Sequence, residues 1–536
     1  MTLKNILIIV HLDLLLPLAV FLNLYLYFYP VFHFCAFTPQ PDGSEAPFRL
    51  LALADPQLEG DSTLQKYKTA ESIAAAAEAE ATTDTSSPSS SLWDYVHPTD
   101  IGLTIRGLGK VLDLWGNDLY LRHVFRTTRQ MLAPTHTVVL GDLLGSQWIS
   151  DEEFKIRGER FWRIFGGKEE GEGKVTGEDV ERYAGNIAAD REVWRKKVII
   201  VPGNHDIGYA GDMDWSRITR FEEMFGVVNY MVNFTPNASI SASNSTTTDT
   251  TTQEEQSQNI PPTLRLIILN SLPLDSPILD PTIQDASHAL LDQSLESKSP
   301  SLRQSSLLLT HLPLHKPAGL CADAPLVTHY PAHHGGGIKE QNHLSETSSE
   351  LLLDRAFGLP ATTSDEGAKA KEHGMVLTGH DHVGCDVRHS WIGGETGWNQ
   401  SSWEEWREKE MEGRLEEGVR EVTVRSMMGE FGGNAGLVSA WFDLESDCMS
   451  SFPLTPSLAY YLTGLIMMVV CKKAWKFEYQ TCKLGIQHVW WTVHIIDVIV
   501  AITGFVLFVA YKRDEFRNAE QAARVQELID RSKKDE

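Results

Sequence analysis

Cysteine is scarce in this chain: six in 536 residues, none in a CxxC pair, which excludes a disulfide-built fold and a zinc ribbon. Positive charge is short as well. Against 72 Asp and Glu stand only 47 Lys and Arg, giving a net charge of −25 and a pI near 5.2. No nucleic-acid partner is expected, because phosphate binding rests on Lys and Arg releasing counterions. No internal repeat is visible. A mainly disordered chain is excluded too, since 42% of the residues are hydrophobic. The length allows roughly two to four domains of about 150 residues, or one large domain with insertions. Apolar residues gather at both ends and acidic ones fill the middle, the pattern of a membrane-anchored protein with a polar body.

Leu14 to Phe37 reads LLLPLAVFLNLYLYFYPVFHFCAF, with Asn23 and His33 its clear polar residues. About 20 such residues cross a bilayer as a helix. The stretch runs on into PQPDGSEAP with no A-x-A-like cleavage site, so an uncleaved anchor is expected, preceded by a short cytosolic segment, 1–13. Tyr25, Tyr27, Tyr29, Phe32, Phe34 and Phe37 crowd its second half as an interfacial belt would. His488 to Tyr511 opens on Trp490 and Trp491 and stops at Lys512 and Arg513, which reads as a second span before a charged tail, 512–536. Pro456 to Val470 is a shorter apolar stretch that reads as either a span or an interfacial segment. The non-spanning reading is favoured, although Lys472, Lys473, Lys476 and Lys483 pull towards a cytosolic loop.

Between the anchors, 70–91, 166–179 and 239–259 are poor in large apolar residues and read as inserted loops. N-glycosylation sequons stand at Asn233, Asn237, Asn244 and Asn399, which favours a luminal or extracellular body. Short runs that are apolar throughout recur at Phe48–Ala54, Thr135–Gly141, Lys196–Gly203, Leu264–Asn270, Ser305–Thr310 and His373–Gly379. Such runs suit strands buried on both faces. After Asn117, Tyr120, Leu121, Val124, Phe125, Met131 and Leu132 repeat at helical spacing. An α/β layered architecture follows, with the body expected over 48–447.

Five of these runs finish on a metal-ligand residue type: Asp55 in ADPQ, Asp142 in GDLLG, Asn204 and His205 in GNHD, His311 in THLPLH, and His380 and His382 in GHDH. In α/β sheets the ligand site lies beyond the carboxyl ends of the strands. A lone Asp there is more often a cap, and GHDH alone suits a turn. The joint occurrence in this order is hard to obtain by chance.

GD, GNHD, H and GHDH, preceded by an Asp-led strand end, resemble the calcineurin-like metallophosphoesterases. The resemblance implies a layered β-sandwich flanked by helices, with terminal transmembrane helices here, and two divalent ions. Carried over, Asp55, Asp142 and His382 hold one ion, and Asp142, Asn204, His311 and His380 hold the other. His205 would stand at the leaving group as the catalytic residue. Where the family pattern is Asp-x-His, this chain has Asp55-Pro56-Gln57. Gln57 is left as a metal or substrate contact, and an amide oxygen tilts the site towards Mn²⁺, with Zn²⁺ or Fe as alternatives.

ADPQLEGD, LGDLLGSQWISDEEF, HLPLHKPAGLC, GHDHVGCDV and RSMMGEFGGNAG further resemble the branch that remodels glycosylphosphatidylinositol (GPI) anchors. That implies a phosphodiesterase removing ethanolamine phosphate from a mannose of GPI glycolipid or GPI-anchored proteins. It also implies an endoplasmic reticulum membrane protein with a luminal catalytic body. The terminal Lys533-Lys534-Asp535-Glu536 resembles a dilysine retrieval signal, so export and retrieval machinery are expected partners. Cys321 and Cys385 each follow an expected ligand closely and would pair at the site rim in an oxidising lumen. A luminal phosphatase for another phosphoester and a catalytically inactive cargo receptor for GPI-anchored proteins remain the alternatives.

Overall fold

The computed structural model describes residues 3–60, 64–69, 72–73, 92–166, 173–183, 191–235, 262–298, 303–358, 374–391, 397–411, 418–443 and 474–533. Two sheets form the body. The five-stranded one runs β14 (Ala474–Lys483), β13 (Asn434–Asp443), β1 (Phe48–Leu53), β2 (His136–Leu140) and β3 (Ile199–Val201). The seven-stranded one runs β11 (Trp398–Ser402), β10 (Cys385–Trp391), β12 (Gly418–Thr423), β9 (Gly374–Thr378), β6 (Gln304–Leu309), β5 (Thr263–Ile268) and β4 (Tyr230–Phe234). A small hairpin, β7 (Val327–His329) with β8 (Ile338–Gln341), stands apart. The expected α/β sandwich with flanking helices and an apolar helix at each terminus is the fold observed.

The sequence runs are apolar throughout because both faces of each sheet are covered. Phe48, Leu50 and Ala52 of β1 point inward with Val138, Leu140, Ile199 and Val201, meeting Leu264, Leu266, Leu307, Leu309, Met375 and Leu377 of the other sheet. Leu51 and Leu53 alternate outward with Val139 and Ile200, against Tyr120, Leu121, Val124 and Phe125 of the long helix Ile101–Leu132 and Phe154 and Phe161 of the helix Asp151–Phe165. The second sheet is covered in the same way by Pro281–Glu296 and Glu346–Phe357, through Ile283, Leu290, Leu291, Leu352 and Leu353. Asp100 caps the long helix by accepting the Leu103 N–H, and Ser150 caps the next by accepting that of Glu153.

The termini differ from the sequence reading. The first apolar helix is Leu3–Tyr27, so most of 1–13 belongs to it rather than preceding it. It breaks at Phe28, two residues before Pro30, inside the expected span 14–37. The second begins at Gln487 and continues through the charged tail to Ser532. At about 1.5 Å per residue, 46 residues reach roughly 69 Å, more than a bilayer's hydrocarbon thickness of about 30 Å. The body does not stop at 447 either. β14 follows it and pairs with β13 along its whole length, carrying Lys476 and Lys483 in the sheet rather than in a cytosolic loop.

The expected insertion 166–179 is partly ordered. Val175 is buried and bridges to Gly226, Lys174 bridges to Val198, and a helix runs from Gly177 to Tyr183. Val175, Val180 and Tyr183 supply the apolar anchors that the acidic composition masks. The segments 74–91, 239–259 and 456–470 lie outside the described residues.

Candidate metal centre

Within each sheet the strands that carry the motif residues run parallel, β1 with β2 and β3, and β6 with β9. Their carboxyl ends therefore deliver Asp55, Asp142, Asn204, His311 and His380 to one place. Four of the residues there, Asp55, Gln57, Asp142 and His380, hold left-handed backbones, with φ of 52°, 42°, 49° and 73°. Conformations that non-glycine residues avoid concentrate where surrounding structure enforces them for function. The motif glycines allow close approach. A Cβ on Gly141 would run into the His311 ring, and one on Gly203 into the Asp142 backbone and carboxylate.

Ligand atoms converge in two groups, Asp142 with His311 and His380, and Asp55 with Asp142 and His382, all within 4.8 Å inside each group. Asp142 is common to both. His311 donates through Nδ1 to the Leu140 carbonyl at 2.8 Å, which leaves Nε2 facing Asn204 Oδ1 at 3.0 Å and Asp142 Oδ1 at 3.3 Å. His380 donates through Nε2 to the Gln341 carbonyl at 2.7 Å, and its buried Nδ1 has no partner among the described residues. Asp55 Oδ2 is likewise buried and unpartnered. Imidazoles pinned through one nitrogen by a carbonyl, with the other aimed at carboxylates, are how metal-binding histidines are held. The donor set fits divalent cations.

The electrostatics say the same. Burial alone would push the Asp142 carboxyl up, but His311, His205 and His380 around it hold it well below the usual carboxylate range. Burial opposes charge on His311 too, yet Asp142 and Asp55 push it up to about 9. A proton on His311 thus supplies the positive charge that two carboxylates demand, and a bound cation would displace it. Burial raises Asp55 well above its ordinary value and lowers His380 to about 3, the latter with His311 as second cause.

Gln57 lies inside the group of Asp55, Asp142 and His382. Its Nε2 stands 3.1 Å from Asp142 Oδ2 and 3.3 Å from His382 Nε2. Side-chain amide O and N are assigned by hydrogen bonding, and exchanging them would aim Oε1 at the same point. His205 is the open member. Its side chain is 37% exposed against 0% for His311, and Nε2 is 3.8 Å from Asp142 Oδ2. Asp381, inside GHDH, turns the loop by accepting the Val383 N–H.

Sequence reasoning missed three supports. Asp206 is fully buried, and its carboxylate accepts the N–H groups of Gly203 at 2.8 Å, Leu143 at 3.2 Å and Leu144 at 3.0 Å. Burial and the nearby Asp142 push its carboxyl up to about 7. Glu421 on β12 accepts Lys316 Nζ at 2.9 Å, the Leu314 N–H at 2.9 Å and His389 Nε2 at 2.6 Å, anchoring the loop that leaves His311. The segment 426–431 walls the site, where Phe431 meets the His382 ring edge-on at 4.8 Å and Ser426 donates to the Asp55 carbonyl. A buried acid one residue after the GNH triplet was the signal available for Asp206. Nothing local marked Glu421.

Cys321 and Cys385 form a disulfide, and Cys35 and Cys482 form a second that sequence reasoning did not anticipate. The hairpin β7–β8 carries the His-rich run 328–337, whose His329, His333 and His334 are exposed. Of the sequon asparagines, Asn233 lies in β4 and Asn399 in β11, and Asn237 and Asn244 lie outside the described residues.

Two sheets whose strand ends share a carboxylate between two imidazole-bearing ligand groups define a metallophosphoesterase centre. The chain belongs to the calcineurin-like metallophosphoesterase family. Over 437 residues it is 31% identical to Protein TED1 of Saccharomyces cerevisiae, covering 73% of this chain and 77% of that protein. It is 23% identical to Metallophosphoesterase 1 of Danio rerio over 55% of this chain and 64% of that one. To Metallophosphoesterase 1 of Mus musculus it is 24% identical, over 52% and 58% respectively. No family model matches the chain.

Proposed function

We propose that this protein is a metal-dependent phosphodiesterase that removes ethanolamine phosphate from a mannose of GPI anchors, at the luminal face of the endoplasmic reticulum membrane. The observation that carries the reading is Asp142, shared by two ligand groups at the strand ends. Asp142, Asn204, His311 and His380 would hold one ion, and Asp55, Asp142, His382 and Gln57 the other. Two such ions neutralise phosphoryl charge and acidify water when bound. A site rich in carboxylate, with an amide where the family has an imidazole, favours Mn²⁺.

The protein's own groups do the rest. His311 holds the Asp142 carboxylate, and Asn204 in turn holds the His311 ring. His205, open to solvent and tethered through its backbone N–H to Asp142 Oδ1 at 2.9 Å, can reach a leaving oxygen. As water adds to phosphorus and the phosphorus–oxygen bond to mannose breaks, a ring N–H of His205 would give the departing oxygen a proton, and the proton released by the water would restore it. A membrane-borne substrate is favoured by position. Asn434 and Lys483 are register partners at the carboxyl end of β1, and the second apolar helix starts four residues after Lys483. The metal centre and the membrane helices therefore share one end of the body. Two disulfides suit an oxidising lumen.

The test is to incubate the full-length protein and Mn²⁺ with GPI glycans, each bearing ethanolamine phosphate on a single mannose. Release of ethanolamine phosphate from one of them is expected. Cleavage of a generic phosphodiester with every glycan left intact would sink the substrate assignment, and two bound ions with no cleavage of either would favour the receptor reading.

A further inference from the structure

The long helix Ile101–Leu132 carries an apolar stripe that the described residues do not cover. Ile101, Ile105, Leu112 and Trp115 are 74%, 66%, 57% and 57% exposed, Leu108 is half-buried, and Leu119 ends the series where it packs against the core. The steps of four and three residues place all six on one face of a helix. The same face continues through Arg122, half-buried, and Arg126, exposed. A stripe of this size facing water is a liability that marks a contact surface.

Its neighbour on the same helix identifies what covers it. Gly116 leaves room for the Trp491 ring, which a Cβ there would strike. Tyr120 donates its hydroxyl to the Gly485 carbonyl at 2.6 Å and meets Trp490 edge-on, and His123 meets the Tyr27 ring at 4.9 Å. Gly116, Tyr120 and His123 thus rest on the body-side ends of both apolar helices, at the level of their interfacial aromatics. On a helical projection at about 100° per residue, this face lies within roughly 65° of the exposed stripe. The stripe is therefore continuous with a surface already at the membrane.

We propose that Ile101–Leu132 is an interfacial helix, with Ile101, Ile105, Leu108, Leu112 and Trp115 seated in the headgroup and acyl boundary. An apolar face followed by cations on one helix suits a phospholipid surface, where Arg122 and Arg126 meet phosphates. The same helix packs through Tyr120, Leu121 and Val124 on the sheet that supplies Asp55 and Asp142. Lipid contact would then fix the tilt of the metal centre over the bilayer. The proposal rests on the terminal helices being spans and not on the phosphoesterase reading, so the two fail separately.

The test places an environment-sensitive fluorescent amino acid at Leu112, or at Arg106 on another face, in the full-length protein reconstituted into phosphatidylcholine vesicles. Both positions are exposed, so neither probe disturbs the core. A probe at Leu112 should emit to the blue, resist iodide, and be quenched about threefold more by shallow spin-labelled lipid than one at Arg106, since such helices sit about 5–10 Å deep. Equal, water-like emission at both positions would overturn the proposal. So would a Leu112 probe shielded from iodide yet untouched by spin-labelled lipid, because protein would then cover the stripe.

Discussion

The Asp206 carboxylate accepts the Leu144 N–H at 3.0 Å, and that bond ties the loop bearing Asn204 and His205 to the loop bearing Asp142. Asp206 is no ligand, but it holds two ligand loops at once. Asp206→Ala would leave three buried backbone N–H groups without an acceptor. An unsatisfied buried donor costs about 1–3 kcal/mol, so thermal unfolding should drop by several degrees and metal affinity should fall with it. Differential scanning calorimetry and metal analysis check this. An unchanged midpoint with full metal content would show that the loops are set by other contacts.

Asp142 and Gln57 separate the two ligand groups. Asp142→Asn removes the charge common to both, so both ions should be lost or misplaced and turnover should fall by orders of magnitude. Gln57→His restores the ordinary family residue to the Asp55, Asp142 and His382 group alone. Histidine tolerates the left-handed backbone that Gln57 adopts better than most residues do. The variant should hold the ion of that group more tightly and shift its preference from Mn²⁺ towards Zn²⁺. Metal titration by isothermal calorimetry reads both effects, and an unaltered Mn²⁺ to Zn²⁺ ratio would place Gln57 outside the coordination sphere.

Much of this centre was legible because its parts are local. Each motif, GD, GNHD and GHDH, pairs a strand end with the ligand that follows it, and the strands are apolar on both faces, so their runs stand out. Asp206 and Glu421 were not legible, since both act on backbone groups brought near by the fold, Glu421 across about a hundred residues of sequence. The Cys35–Cys482 pair was hidden for the same reason, being made when β14 returns beside β13. Helix length at the N-terminus was misread because polar residues such as His11 and Asp13 interrupt the apolar run. In the fold, His11 is partnered by Thr503.

His343 gives the body a pH dependence outside the metal centre. Burial, with Lys316 as the next cause, lowers its imidazole to about 4. The unfolded chain protonates near 6.5 and the folded one only near 4, so the unfolded state binds more protons between them. Stability from this residue is fully present above about 6.5 and is lost as pH falls towards 4. His343→Gln should flatten that part of the profile. Urea denaturation at several pH values measures it, and parallel profiles for the two proteins would remove His343 as the cause.

The two disulfides should be found together in one non-reduced preparation. Proteolysis and mass mapping should yield one linked peptide pair spanning Cys321 and Cys385 and another spanning Cys35 and Cys482. The second ties the end of the first apolar helix to β14, just before the second helix. Removing a native disulfide typically costs about 2–5 kcal/mol in small domains, and here Cys482→Ser should chiefly loosen the helices from the body, read as faster proteolysis near 34–47. Free thiols at all four positions would rule the pairing out.

The two apolar helices run antiparallel in contact, which fixes the relation between the chain's two ends. Lys4 pairs with Asp514, His11 Nδ1 stands 2.8 Å from Thr503 Oγ1, and Asn23 donates to Asp497 at 2.7 Å. Polar groups inside a span are costly alone and hold helices together when they find each other. The body attaches at the other end of both helices, through Cys35 and Cys482. The residues flanking 456–470 add a second constraint. Asp443 and Ala474 are register partners at the open end of one hairpin, so the chain leaves the sheet and returns to it on the same side of the membrane. Tags placed before Leu3 and after Ser532 should therefore lie on one side, with the body on the other. In sealed microsomes, protease added outside should remove both tags and spare the body. Protection of one tag and loss of the other would break the antiparallel pair. Asn23→Leu with Asp497→Leu should leave the sidedness intact while weakening helix contact, measured as a gain in crosslinking distance between labels at Ile6 and Phe508.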